Sequence, residues 1–129
     1  MRKDLSEKIK ILENSRSVFD PEIKALLPEP AEDNGYYLIY YPEDLYKSAL
    51  TDVLLFNADN LRVWYDRRLE SGAAWEEYIL DKIGEYDCIG AVLYLSNASL
   101  RSPFFYRLCA ELDKRHKSYC SLKYEFDES

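Results

Sequence analysis

The sequence predicts an α/β domain with a parallel sheet and helices on both of its faces. The main evidence is a β-α-β unit, in which the apolar segment Arg62–Asp66, a helix that begins near Trp75 and the apolar run Cys88–Ser96 follow one another in order. Strand and helix patterns alternate from residue 36 onward, whereas the preceding segment has helical patterns only. At 129 residues the chain is long enough for one domain with a substantial core.

The first part of the chain predicts a helical extension followed by a linker. Leu5, Ile9 and Leu12 recur at the spacing of an amphipathic helix. Asp20 and Pro21 then offer an N-cap and a proline at the first helical position, which predicts a second helix. The acidic, proline-containing segment that follows is typical of a linker. The simplest interpretation is that the extension packs on the surface of the main domain.

Four strands are predicted in the main domain, which spans residues 34–129 after an extension of residues 1–33. Aromatic and branched residues in the first three strands are typical of strands that are buried on both faces. The third strand is apolar almost throughout and is expected in the middle of the sheet, whereas the fourth alternates weakly and is expected nearer an edge. The predicted strands are Tyr36–Tyr41, Leu61–Asp66, Cys88–Leu95 and Tyr119–Phe126.

Apolar residues at helical spacing predict a helix in each connection between these strands. The first helix begins after Pro42-Glu-Asp44, and a polar turn over Ser96–Pro103 precedes the third, which is predicted over Phe104–Lys117. The apolar stripes of the first two helices are Leu45, Ala49, Val53 and Phe56, and Trp75, Ile79, Ile83 and Tyr86.

Composition and charge exclude several classes of function. The formal net charge of -7 argues against a nucleic-acid surface, which needs a basic patch. Charges interrupt the apolar runs, so neither a membrane span nor a signal peptide is predicted. The three cysteines lack metal or disulfide spacing, which favours a reducing, cytoplasmic location. His116 is the sole histidine and lies among lysines, so no Ser-His-Asp site is expected.

Four segments of the main domain follow the order of a known series of motifs. The first, Leu38–Asp44, is an apolar strand followed by an aromatic residue and charges, and it resembles the first box of the TIR (Toll/interleukin-1 receptor) domains, especially the bacterial ones, which usually have a serine where Tyr40 stands. Arg62–Asp66, with Leu69, Gly72 and Trp75, resembles the second box and the loop that follows it. The resemblance implies a flavodoxin-like, three-layer TIR fold around a central parallel sheet, here expected to lack the last strand and helix of the family.

The third similar segment, Val92–Ser102, resembles the strand that ends in serine, and Cys109–Leu112 resembles the glutamate-leucine pair of the next helix. Together the four segments extend the resemblance over residues 36 to 113. Two registers are open in the last segment. Glu111 is the counterpart of the family's glutamate if the loop Ser102–Phe105 accommodates a few extra residues, whereas strict spacing places Leu108 there.

The resemblance implies one of two functions. In the enzymes of the family, one glutamate serves the cleavage of the nicotinamide glycosidic bond of NAD, because a carboxylate on the ribose hydroxyls stabilises the developing oxocarbenium-like charge. Glu111 is the predicted catalytic residue, with NAD as substrate and with no cofactor or metal. In the other members the domain binds further TIR domains without catalysis. Glu111 is then a solvated glutamate on an amphipathic helix.

Side chains at the carboxyl ends of the predicted strands are the candidates for substrate binding, because ligands bind at that edge of a parallel sheet. Each of them also has a structural interpretation, as a core aromatic or as a cap. By resemblance, the loop after the second strand mediates association with other TIR domains, and self-association is expected. The candidate substrate-binding residues are Tyr40, Tyr41, Asp66, Trp75 and Ser96. The candidate residues of the interaction loop are Arg67, Arg68, Leu69, Glu70, Ser71 and Gly72.

Overall fold

The computed structural model describes residues 2–66 and 73–123 and confirms the predicted α/β fold. A four-stranded, all-parallel sheet with the strand order β2-β1-β3-β4 lies between helices in a flavodoxin-like arrangement. The strands are β1 (Tyr36–Tyr40), β2 (Val63–Tyr65), β3 (Cys88–Leu95) and β4 (Ser118–Lys123). The α-helices are α1 (Arg2–Asn14), α2 (Pro21–Leu26), α3 (Tyr46–Ala58), α4 (Ala73–Gly84), α5 (Asn97–Leu100) and α6 (Pro103–Lys114).

The positions of the strands agree with their composition. β1 and β3 are the two inner strands, and β4 forms one edge of the sheet, as its weak alternation predicts. β2 is shorter than the predicted strand Leu61–Asp66 because the amide of Leu61 still donates to the carbonyl of Phe56, at the end of α3, over 2.9 Å. Asn60, with a positive φ of 63°, turns the chain between the two elements. Residues 124–126 of the fourth predicted strand lie outside the described residues.

Each face of the sheet carries an apolar core of its own. On one face, side chains of the sheet such as Ile39 and Tyr94 pack with residues of α1, α2 and α3. On the other face, Leu93 and its neighbours pack with residues of α4 and α6, among them Leu108. The alternation of side chains along a strand directs successive residues to opposite faces, which explains why β3 is apolar almost throughout.

The N-terminal extension contributes directly to the first of these cores. Leu12, Val18 and Ile23 are all buried. The amide of Glu22 donates to the Asp20 carboxylate, so Asp20 caps α2 as its sequence predicts. Because full burial of one such aliphatic side chain contributes about 1.5–3 kcal/mol, the extension stabilises the fold as well as covering its surface.

The linker after α2 follows the outer edge of β2. The amide of Ala31 donates to the carbonyl of Val63 over 2.9 Å. The hydroxyl of Tyr65 donates to the carbonyl of Pro28. The backbone of the linker therefore bonds to the edge strand, and part of that edge is no longer available to a further strand.

The helices differ from their predictions at the ends. α4 carries the buried residues Ile79 and Ile83, but Tyr86 is 97% exposed because the helix ends at Gly84. Glycine is a poor helix former and commonly marks such an end. The segment predicted as a turn, Ser96–Pro103, contains the short helix α5. A single turn of 3-10 helix, Glu43–Leu45, precedes α3.

Candidate functional site

Parallel pairing brings the predicted substrate-binding residues to one edge of the sheet. Tyr40 ends β1 and Tyr41 follows it, Asp66 follows β2, and Ser96 follows β3. Trp75 lies in the first turn of α4, which starts at the same edge. The structure therefore groups these side chains as the sequence predicts, and their contacts decide what the group can do.

The carboxylate of Asp66, directly after β2, forms a hydrogen bond with a residue in the first turn of α4. Its carboxylate oxygen Oδ2 accepts a hydrogen bond of 2.5 Å from the indole Nε1 of Trp75. Its carbonyl accepts a hydrogen bond of 3.2 Å from the hydroxyl of Tyr41. Burial and the nearby charge of Asp66 raise the pKa of Tyr41, so this hydroxyl stays a neutral donor. Asp66 is itself buried, and these contacts describe a structural junction.

Ser96 is fully buried and caps the short helix α5. Its Oγ accepts a hydrogen bond from the amide of Ser99, and its own amide donates to the hydroxyl of Ser99 over 2.8 Å, which completes a capping box. The hydroxyl of Ser96 also donates to Oδ1 of Asp44 over 3.2 Å. The hydroxyl of Ser96 therefore donates and accepts hydrogen bonds within the protein.

Three aromatic rings pack together beside these polar contacts. The ring centroids of Tyr40 and Trp75 are 6.4 Å apart, those of Tyr40 and Phe104 5.9 Å, and those of Trp75 and Phe104 5.3 Å. Burial and the charges of Glu76 and Asp44 raise the pKa of Tyr40 to about 12. The rings occupy the space between the end of β1 and the first turns of α4 and α6, and each pair is tilted, with interplanar angles of 41°, 56° and 53°.

Glu111 does not lie with this group. α6 begins at Pro103, and Ser102 caps it by accepting a hydrogen bond from the amide of Phe104. Because the helix is continuous from its first residue, the segment Ser102–Phe105 forms no loop that could take up extra residues. Glu111 therefore lies about 10 Å beyond Phe104 along the axis of α6, toward the amino edge of the sheet.

The contacts of Glu111 are those of a surface ion pair. Its Oε2 accepts a hydrogen bond of 2.7 Å from Nε of Arg115, and its side chain is 23% exposed. The guanidinium of Arg115 packs over Gly84, at the end of α4. Leu108, which strict spacing places at the glutamate position, is fully buried in the core. The catalytic role of Glu111 stays a prediction. The interaction loop Arg67–Gly72 lies outside the described residues.

Two grooves open elsewhere on the described surface. One, of about 480 Å³, lies between linker residues 28–33 and the segment that leads into β2. The other, of about 460 Å³, lies between the first turns of α1 and the end of α3. None of the predicted substrate-binding residues lines either of them. Both are near the amino edge of the sheet, since α3 ends and β2 begins there.

Sequence reasoning did not identify Asp44, Ser99 and Phe104 as members of the group. A signal for Ser99 was present, because a serine three residues after Ser96 has the spacing of a reciprocal cap. Asp44 was interpreted only as the start of a helix, and its contact with Ser96 joins residues far apart in the chain. No local pattern predicts a contact of that kind.

Other features of the described residues bear on function. No cluster of His, Cys, Asp or Glu in residues 2–66 and 73–123 could hold a metal ion. No helix in those ranges is long and apolar enough to cross a membrane. A scan against models of protein families, and searches of curated proteins and of solved structures, found no match for this chain. The flavodoxin-like fold is therefore what the structure establishes, and the resemblance to TIR domains stays a prediction.

Proposed function

We propose that the chain is a cytoplasmic interaction module of the TIR type, which acts by binding other domains of its kind and does not cleave NAD. One observation carries the proposal. The group at the carboxyl edge is buried except for Trp75, which is partly buried, and its members contact one another. The one predicted catalytic residue, Glu111, is paired with Arg115 about two helical turns away from this group.

Cleavage of the nicotinamide bond needs space for a dinucleotide and a carboxylate that is able to hold the ribose hydroxyls. Tyr40 stands where the resembling family usually has a small serine, and its ring packs on Trp75 and Phe104. A substrate would have to separate these rings. It would also have to break the hydrogen bond between Ser96 and Asp44, and to draw Glu111 out of its ion pair with Arg115.

A binding module needs none of these rearrangements. The rings and hydrogen bonds at the carboxyl edge hold the ends of three strands and the starts of α4 and α6 in fixed positions. Such a rigid frame is suited to presenting loops and edges to a partner.

The experiment measures nicotinamide release and molecular mass on the same samples. The full chain is incubated with NAD from dilute to high protein concentration, with and without a crowding agent that promotes assembly. Light scattering reports the mass, and chromatography reports nicotinamide. The expected result is association with rising concentration and no release of nicotinamide above the buffer rate.

Two glutamates that pair with arginines on helix surfaces provide matched variants. Glu111→Gln removes the predicted catalytic carboxylate, and Glu77→Gln removes an ion pair with Arg107 of 3.0 Å in the same helical layer. Nicotinamide release that is lost in Glu111→Gln and kept in Glu77→Gln would overturn the proposal in favour of the NAD-cleaving enzyme. Release that persists in both variants would also overturn it, with a different residue as the catalyst.

A further inference from the structure

We infer that the outer edge of β4 is a self-association surface, at which the β4 strands of two copies of this chain pair in antiparallel orientation to form a closed dimer. The inference rests on the proposed function, for which it names the partner and the surface. This surface is separate from the predicted interaction loop, and it involves only elements that the structure describes.

β4 has the properties of a strand that can accept another strand. It bonds to β3 on one side, in an unbroken register from Ser118 opposite Gly90 to Lys123 opposite Leu95. On its other side no strand of residues 2–66 and 73–123 pairs with it. The strand contains no proline, and its pairing has no bulge. Residues 118–122 carry no charge, and Lys123 is the one charged residue of the strand. Natural proteins commonly protect exposed edges with proline, bulges and charged side chains, and residues 118–122 have none of these.

The side chains of β4 leave the edge accessible. Cys120 is exposed, and Leu122 is 39% exposed on the same face of the sheet, since alternate residues of a strand share a face. An approaching strand would gain main-chain hydrogen bonds along the edge and would cover part of this apolar surface. Strand addition of this kind is an established mode of recognition between proteins.

The opposite edge of the sheet decides which partner fits. At β2 the linker occupies part of the edge, where the amide of Ala31 donates to the carbonyl of Val63. The β4 edge of one copy therefore cannot add fully to the β2 edge of the next, and the head-to-tail arrangement that would give an open filament is disfavoured. Pairing of β4 with β4 remains. It is isologous and closes at two copies.

Symmetry sets the orientation of the two strands. A two-fold axis perpendicular to the sheet makes the β4 strands of the two copies antiparallel, and each copy then contributes the same residues to the pair.

The symmetry also places Cys120 near the axis. The registers that pair the most residues centre the axis on Cys120 or on Ser121, since β4 extends from Ser118 to Lys123. In the first register the two Cys120 side chains are directly opposite, with Cβ atoms about 5 Å apart, and in the second they are diagonal neighbours at about 7–8 Å. A short bis-maleimide should therefore join the two chains through this residue.

The test measures the dimer dissociation constant of the full chain by sedimentation and its cross-linking by the bis-maleimide. Cys120→Lys places two like charges close to the axis and should raise the dissociation constant about fivefold or more. Cys120→Ser keeps the edge neutral and should leave dimerisation unchanged while removing the cross-link. Leu55→Lys adds the same charge at an exposed leucine of α3 and should also leave it unchanged. Circular dichroism checks that each variant is folded.

Several outcomes would overturn the inference: a chain that stays monomeric at every concentration, a folded Cys120→Lys variant that dimerises like the unmodified chain, or cross-linking that survives Cys120→Ser. A dimer that is insensitive to Cys120→Lys would leave the proposed function standing with a different surface. Nicotinamide release would instead remove the proposed function without changing the behaviour of the Cys120 variants, so the two failures are distinguishable.

Discussion

The two edges of the sheet differ in what lies against them. The β2 edge is partly covered by the N-terminal extension. The amide of Ala31 donates to the edge strand, and the carbonyl of Pro28 accepts from the hydroxyl of Tyr65. The β4 edge carries no further strand among the described residues, and Cys120 and Leu122 on it are exposed. One chain thus protects one edge and leaves the other available.

The contrast between the two edges predicts that residues near β2 affect the stability of the fold, whereas residues of β4 affect association between copies. Residues before the sheet bury aliphatic side chains in the first core and cover the β2 edge, so changes there should act on the free energy of unfolding. Residues of β4 contribute few buried side chains, so changes there should act on contacts between copies of the chain.

The largest effect is expected from one leucine in the extension. Leu12 is fully buried, whereas Leu122 on β4 is 39% exposed. Leu12→Ala should lower the free energy of unfolding by about 2–5 kcal/mol, because it removes buried contacts and leaves a cavity. Leu122→Ala is the matched change and should alter it by about 0.5 kcal/mol or less. Urea unfolding of both variants under dilute, monomeric conditions measures the difference.

The outcome also tests whether the extension is part of the cooperative fold. If Leu12→Ala costs no more than Leu122→Ala, the extension is only attached to the surface, and the contrast between the edges is wrong. A cost in Leu12→Ala that is accompanied by a smaller denaturant dependence would indicate that the extension unfolds first, as a separate unit.

The elements that could be predicted from the sequence are those with local signals. The apolar run of β3 predicted an inner strand, and the weak alternation of β4 predicted an edge, because burial on two faces or one determines these patterns. Asp20 predicted its own cap because the partner amide is two residues away. The end of α4 at Gly84 was missed, since Tyr86 continues the apolar stripe although it is 97% exposed.

The candidate site was predictable only as a group. Parallel strands place their ends together, so Tyr41, Asp66 and Ser96 could be assigned to one edge from topology. The sequence did not predict which groups these side chains would bond to. Asp66 bonds to Trp75 and Ser96 bonds to Asp44, and both are tertiary contacts. These contacts determine whether the polar atoms face a ligand or one another.

A smaller effect on the free energy of unfolding is expected at the ion pair between the linker and α4. Nζ of Lys82 lies 2.5 Å from Oε1 of Glu32 and 3.5 Å from Oε1 of Glu85, and the lysine side chain is 8% exposed, whereas that of Glu32 is 67% exposed. Glu32→Gln should lower the free energy of unfolding by about 1 kcal/mol, because the exposed partner is screened by solvent. Glu22→Gln, at an exposed position of α2, is the matched control.

The same pair gives a dependence on pH with a defined sign. Burial lowers the pKa of Lys82, but the hydrogen bond to Glu32 and the charges of Glu85 and Glu32 outweigh it, so the pKa is raised above its ordinary value of 10.5. A pKa that is higher in the folded state gives a contribution that is complete below pH 10.5 and is lost as the pH rises through the folded value. Glu32→Gln should therefore lose less stability in alkali than the unmodified chain does. An equal alkaline loss in both would place the effect at another group.

The smallest effect is expected at the exposed ion pair of the linker. Arg62 and Asp33 are 2.7 Å apart, but both side chains are largely exposed, and such pairs contribute about 0.2–1 kcal/mol. Asp33→Asn should cost about 0.5 kcal/mol or less, and the cost should vanish in concentrated salt, because screening already weakens the pair. Since Nε of Arg62 also donates to the carbonyl of Asp33, the linker keeps a bond to this residue in the variant. A loss as large as that of Leu12→Ala would mean that charge, and not burial and backbone bonding, holds the linker on the β2 edge.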